Sequence, residues 1–271
     1  MDDISRFLKE DLDEIGDITS NALFTDEQAK GSIIVKNNCI LAGIKEATQV
    51  FNHAGASLTA LAADGDKLKP KMTVATVDGK VTSILSAERL ALNILGRMSG
   101  IATVTHHLVE SCKAINPNVE IAATRKTTPG FRKYEKKAVE IGGGSPHRMG
   151  LYDAIMIKDN HLKIVGSIET AIKRAQKHND GKIVEVEVET EKDAIIAANQ
   201  RVDVIMLDNF PSNIAMKISE KIRKINPSIV IEVSGGITPK NITKYASFAD
   251  RISIGYITHT IQNIDFGLEL I

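Results

Sequence analysis

Cysteine, net charge and long apolar runs are all scarce in this chain of 271 residues. The two cysteines, Cys39 and Cys112, match no metal-binding spacing such as C-x-x-C, which excludes a thiolate metal centre. They read as buried thiols of a reducing compartment, with a single disulfide as the alternative. Lys plus Arg equals Asp plus Glu at 34 each, so no global field recruits nucleic acid or an anionic membrane surface. Any anion binding has to be local. No run approaches the roughly 18 apolar residues of a membrane span, and the N-terminal M-D-D-I-S-R-F-L-K-E is acidic and amphipathic, without the apolar core of a signal peptide. The expected location is the cytoplasm.

Against this neutral background one stretch is strongly cationic. Between Ala123 and His161 the chain gathers Arg125, Lys126, Arg132, His147, Arg148, Lys158 and His161 around Gly142-Gly143-Gly144. Solvated cations usually alternate with acids on helix faces. Here they stand at the ends of apolar runs, beside Gly and Pro, where loops form and sites are built. A small, strongly anionic ligand is expected. The triple glycine has a plainer reading as a flexible connector.

Along the chain, Ile4, Leu8 and Leu12 at helical spacing predict an opening helix, stopped by Gly16-Asp17. Two short strands are expected around Asn37-Asn38, then a helix over Glu46 to Ala54 ended by Gly55. Asp78-Gly79 is the strongest hairpin signal. Ser86 is a candidate cap for a long helix running towards Ile115, with breaks possible at Gly96 or Gly100. These elements predict an α+β sandwich over residues 1–116. Beyond Asn116 short β-like runs (from Ile121, Ala154, Ile183, Val204, Ile229 and Ile252) alternate with helical ones. Repeated βα units demand a parallel sheet, and strands so short and numerous favour a nearly closed α/β barrel over residues 117–263.

Barrel sites form at the C-terminal ends of the strands. That position holds Thr124-Arg125-Lys126, Lys158 to His161, Glu187 and Glu189, Asp208-Asn209, Ser234-Gly235-Gly236 and Gly255. Arginines bind carboxylate or phosphate through paired hydrogen bonds. Ser234-Gly235-Gly236 offers unobstructed backbone N–H groups for a phosphate, with Lys240 and Asn241 opening a helix beyond it. Glu185, Glu187 and Glu189 alternate with valines and so share one face; inside a barrel they need cations, and Lys126, Lys158 and Arg125 are the expected partners. The alternative is an exposed edge strand with solvated acids. Acids among cations also suggest Mg²⁺ or sugar hydroxyls as ligands, with Glu187 and Asp208 the favoured pair.

Together E-D-L-D-E-I-G-D-I-T, R-M-S-G-I-A-T, T-R-K-T-T-P-G, G-G-G-S-P-H-R, D-A-I-M-I-K-D-N-H, V-E-V-E, M-L-D-N-F, E-V-S-G-G-I and I-S-I-G-Y-I-T-H resemble, in order, the motifs of the quinolinate phosphoribosyltransferase family. The resemblance implies an N-terminal α/β sandwich, an incomplete α/β barrel and a tail over 264–271 that returns to the first domain. It implies transfer of phosphoribosyl from 5-phosphoribosyl diphosphate to quinolinate with loss of CO₂, in NAD biosynthesis, with Mg²⁺ as cofactor held by Glu187 and Asp208. By the same resemblance Arg125, Arg148, His147 and Lys158 hold quinolinate. Lys126, Glu187, Asp208, Ser234, Gly235 and Gly255 serve the donor. A dimer or larger homo-oligomer is implied, in which Arg97 completes the neighbouring subunit's site. Pro146 and Gly96 stand where the family often has Asn and Gln, and the Pro-His-Arg form is shared with a relative associated with molybdate transport. A Schiff-base lyase using Lys126 or Lys158 and a non-catalytic anion-binding protein are the readings from other classes.

Overall fold

The structure, a computed structural model, describes residues 2–271 and divides into two compact units. One holds the chain up to His106 with residues 140–142 and 261–271; the other holds residues 107–139 and 143–260.

In the first unit α1 (Asp3–Leu12) is capped by Asp2, whose side chain accepts from the Ser5 N–H at 3.0 Å, and it buries Ile4 and Leu8. A short helix unread in the sequence follows, α2 (Ile18–Leu23), because Asp17 accepts from the Thr19 and Ser20 N–H groups, both at 3.0 Å. Next come β1 (Gln28–Val35), β2 (Cys39–Ile40), α3 (Ile44–Ala54), β3 (Ser57–Ala60), β4 (Lys67–Leu68) and β5 (Thr73–Lys80). The strands around Asn37-Asn38 do not form a hairpin: β1 pairs with β5 and β2 with β4. The C-terminal strand Phe266–Leu270 adds antiparallel to the free side of β1. Cys39 and Cys112 are free and buried, and burial pushes each thiol up to about 11.

Asp78-Gly79 is not a turn. Both residues lie inside β5, paired with Ser57 and with Lys30 and Ala29 of the flanking strands. Gly79 has φ +154°, and a Cβ on it would stand 3.1 Å from Ala56, so the glycine serves a close approach of backbones. The same holds in α4 (Val81–Lys113), which begins five residues before Ser86 and runs without a break through Gly96 and Gly100. A Cβ on Gly96 would lie 2.7 Å from the Ile264 carbonyl oxygen, and one on Gly100 2.5 Å from that of Gln262. These glycines let the returning C-terminal segment touch the helix backbone, and Ile264 N–H donates to Gly96 O at 3.0 Å.

In the second unit six strands form one parallel sheet: β6 (Glu120–Ala122), β7 (Ile155–Ile157), β8 (Val184–Val188), β9 (Val204–Asp208), β10 (Val230–Ser234) and β11 (Arg251–Ser253). They alternate with α5 (Arg132–Ile141), α6 (Asp159–Val165), α7 (Ile168–Lys177), α8 (Glu191–Asn199), α9 (Ser212–Ile225), α10 (Thr243–Ala246) and α11 (Tyr256–His259). The order β6-β11-β10-β9-β8-β7 follows the chain except that β6 lies beside β11, so the sheet curls round and leaves a seam between β6 and β7. This is an open α/β barrel. Strands such as Val204–Leu207 are buried throughout, as parallel strands covered on both faces must be. β8 lies between β7 and β9, so V-E-V-E-V is an inner strand and not an exposed edge.

Helix propensity alone gives Gly100→Ala a gain of about 1 kcal/mol. The carbonyl 2.5 Å from the new Cβ decides otherwise. Gly100→Ala is expected to lose about 1–3 kcal/mol in urea unfolding; an unchanged or raised midpoint would show that the helix does not need this contact.

Candidate active site

The C-terminal ends of the six strands surround a cavity of about 690 Å³ lined by residues of the second unit only. Arg125, Lys126, His147, Arg148, Lys158, Glu187, Asp208, Ser234, Gly235 and Gly255 all line it. Arg97 belongs to the first unit and is absent from this lining. Two other members of the cationic stretch have local duties. The Arg132 guanidinium donates to Thr127 Oγ1 at 2.9 Å and Met149 O at 3.0 Å. His161 Nδ1 accepts from the Lys158 N–H at 2.9 Å and so fixes the start of α6.

Lys126, Arg148 and Lys158 are each set by a different anchor. Lys126 follows β6, its N–H donates to Thr124 Oγ1 at 3.1 Å, and its carbonyl accepts from Thr258 Oγ1 at 2.7 Å. Arg148 donates to Ala154 O at 3.1 Å and reaches Met156 Sδ at 3.4 Å. Burial, and then the neighbouring Arg125, hold its guanidinium below the ordinary value, while Glu185 and Asp153 oppose them. Lys158 forms an ion pair with Glu187.

On the cavity wall after β9 Asn209 adopts φ +58° and its Nδ2 donates to Asp208 Oδ2 at 2.5 Å. Gly235 at φ +82° lies against Asn209, and any side chain on it would strike that residue. Gly236 is also left-handed, at φ +59°. The loop therefore presents bare backbone, as a phosphate cradle requires. Asn241 does not open a helix: its Oδ1 accepts from the Thr238 N–H at 2.8 Å and closes the turn, and α10 starts at Thr243.

Beneath the cations sits a fully buried acid pair. Glu185 and Glu232 are both 0 % exposed, and His147 Nε2 lies 3.2 Å from Glu185 and 3.9 Å from Glu232. Glu185 thus pairs with His147 rather than with a lysine. Neither Glu185 oxygen nor His147 Nε2 has an aligned hydrogen-bond partner. Glu232 is better provided, accepting from Ser253 Oγ at 2.5 Å and Arg251 at 3.1 Å. Burial pushes its carboxyl up, and Glu185 adds to this, while His147, Ser253 and Arg251 pull it down. The trio offers ligand atoms within 4.8 Å of one another. Glu232 already accepts from Ser253 and Arg251. Glu187 and Asp208 are oxygen ligands at the ends of adjacent strands on the cavity wall, and Glu187 is already ion-paired with Lys158.

Glu232, and Lys136, which is buried behind the cavity with its Nζ donating to the Pro146 and His147 carbonyls, escaped the sequence reading. Glu232 had a signal, a lone acid in the apolar run I-V-I-E-V. Lys136 had none, since K-Y-E-K-K reads as a solvated helix face.

An open α/β barrel whose strand ends enclose arginines, lysines, two acids and a glycine cradle defines an anion-handling α/β-barrel protein. The sequence comparisons narrow this. The family described as "Quinolinate phosphoribosyl transferase, N-terminal domain" matches residues 17–99, and its C-terminal-domain counterpart matches residues 101–269. The chain belongs to the quinolinate phosphoribosyl transferase family. A probable nicotinate-nucleotide pyrophosphorylase (carboxylating) of Archaeoglobus fulgidus is 44 % identical over 259 residues, covering 94 % of this chain and 98 % of the relative. The human nicotinate-nucleotide pyrophosphorylase (carboxylating) is 34 % identical over 89 % of this chain and 82 % of its own. The structure of the nicotinate-nucleotide pyrophosphorylase from Francisella tularensis superposes with a TM-score of 0.92 at 36 % identity, over 99 % of this chain and 94 % of that one.

Removing one member of a buried polar contact leaves the other without a partner, at a cost of about 1–3 kcal/mol. His147→Leu should lose that much in urea unfolding, and a second change, Glu185→Gln, should restore part of it. Additive losses would show that the two side chains are not coupled.

Proposed function

We propose that this chain is a nicotinate-nucleotide pyrophosphorylase (carboxylating). It transfers the phosphoribosyl group of 5-phosphoribosyl diphosphate to quinolinate and releases diphosphate and CO₂, forming nicotinate mononucleotide for NAD biosynthesis. The observation that carries this is the gathering of Arg125, Lys126, Arg148 and Lys158 with Glu187 and Asp208 around one cavity at the barrel's C-terminal end.

Quinolinate brings two carboxylates, and Arg125 and Arg148 provide the forked donors that match them, with His147 and Lys158 beside. Lys126, Ser234, Gly235 and Gly255 hold the phosphates of the donor. Departure of diphosphate leaves positive charge on the ribose, which the carboxylates of Glu187 and Asp208 stabilise electrostatically. Glu187 and Asp208 would also hold Mg²⁺, which when bound neutralises charge on the diphosphate. Once the pyridine nitrogen carries the ribose it is cationic, and loss of the adjacent carboxylate leaves a carbanion that this charge stabilises and that takes up one proton from solvent to give nicotinate mononucleotide. Orientation and charge suffice, and no covalent nucleophile is needed.

A Schiff-base mechanism would need a lysine among apolar neighbours. Lys158 is ion-paired with Glu187, which argues against it. We assign a homodimer or larger homo-oligomer, in which Arg97, absent from its own chain's cavity lining, enters the neighbouring site. A cytoplasmic location agrees with the two free, buried thiols, and no helix among the described residues is long and apolar enough to cross a membrane.

A charge-assisted hydrogen bond contributes about 1.5–3 kcal/mol. Arg125→Ala or Arg148→Ala should therefore raise the KM for quinolinate about 10- to 100-fold, with the fold kept by circular dichroism; an unchanged KM would overturn the acceptor assignment. Arg97→Ala mixed with an inactive Glu187→Ala protein should regain activity through hybrid dimers. Absence of rescue would argue that Arg97 acts within its own subunit.

A further inference from the structure

Lys136 lies outside the cavity lining and is only 1 % exposed, an unusual place for an ammonium group. No carboxylate among the described residues lies within ion-pair distance of it. Its Nζ instead donates to three backbone carbonyls: Pro146 O, His147 O and, at 3.5 Å, Ala123 O. Those carbonyls stand on opposite sides of the barrel's seam. Ala123 follows β6, while Pro146 and His147 belong to the segment that leads towards β7.

The seam needs such a tie. β6 and β7 do not pair; the backbones of the two sides meet through one isolated bridge, Ala122 with Ser145, and farther along Arg132 links Thr127 to Met149 by its side chain. Ser145 N–H donates to Ile121 O at 2.8 Å and Ala123 N–H to Ser145 O at 2.9 Å. Beyond Ser145 no backbone hydrogen bond joins the two segments among the described residues, although Arg125 and Lys126 follow on one side and His147 and Arg148 on the other.

We propose that Lys136 is a positioning residue: its ammonium group ties Ala123 to Pro146 and His147 across the open seam and thereby sets the spacing between the Arg125–Lys126 and His147–Arg148 halves of the anion site. Three N–H donors meet three acceptors, so the cation leaves no proton unused. A neutral amine has two N–H groups and must release one carbonyl. Burial brings Lys136 down to about 8; Arg132 on its own helix and Arg125 and Arg148 across the seam act in the same direction, against Asp153. The tie is therefore complete at neutral pH and weakens as pH rises through about 8.

For its kinetic readout the inference rests on the proposed phosphoribosyl transfer; its exchange readout does not. Lys136→Met keeps the length and apolar stem and removes the donors. The test compares it with wild type by amide hydrogen exchange and by KM for quinolinate from pH 7 to pH 9.5. Lys136→Gln, which keeps two N–H groups, replaces it if the Met variant does not fold. The expected result is a loss of protection confined to Ala123 and Ser145, with the amides of β8, β9 and β10 protected as in wild type. KM should rise about tenfold or more, with a smaller change in kcat. In wild type KM should climb as pH passes about 8, and in the variant this climb should be absent. Unchanged protection at Ser145, or protection lost evenly through the barrel, overturns the inference. Wild type that does not turn over quinolinate overturns the functional reading alone, and the exchange result still decides the role of Lys136.

Discussion

Four cations that repel one another have to be held at one end of a barrel. The molecule meets this constraint by spreading Arg125 and Lys126, Arg148, and Lys158 over three separate segments and giving Lys126, Arg148 and Lys158 different anchors. Lys158 has the Glu187 carboxylate, Arg148 a backbone carbonyl and a thioether, and the buried Glu185 lies near enough to favour the charged guanidinium. The acids that look like catalytic surplus in the sequence are in good part the counter-charge of the site. In the proposed reaction an arriving dianion would relieve the remaining repulsion among these cations.

The open barrel serves the same site. A seam between β6 and β7 leaves room for the segment from Gly142 to Arg148, which brings His147 and Arg148 to the cavity. Gly142 is no slack connector: a Cβ on it would stand 2.6 Å from the Ala102 carbonyl, so its lack of a side chain is a packing requirement. An unpaired seam has to be secured by something other than a strand ladder, and side-chain donors to backbone carbonyls are the available means.

The periodic part of the fold was legible. Val204–Leu207 and its sister runs could only be parallel strands covered on both faces, and their C-terminal ends pointed to the loops that line the cavity. What misled was glycine. Asp78-Gly79, Gly96 and Gly100 were read by backbone freedom as turn or break signals, whereas each is a place where another backbone comes too close for a Cβ. That information lies in the partner segment and not in the local sequence. Lys136 was hidden for a similar reason: four of its five neighbours in R-K-Y-E-K-K are polar, and only the tertiary fold shows that this turn of helix faces inward.

The central claim is that one cavity joins an anionic donor to a pyridine dicarboxylate and then removes CO₂. The most direct measurement is release of labelled CO₂ from carboxyl-labelled quinolinate by the purified protein, with and without 5-phosphoribosyl diphosphate and Mg²⁺. The account predicts release that depends on the donor and matches diphosphate formation mole for mole. Diphosphate formed without CO₂, or no release by a folded protein that binds both substrates, would contradict it.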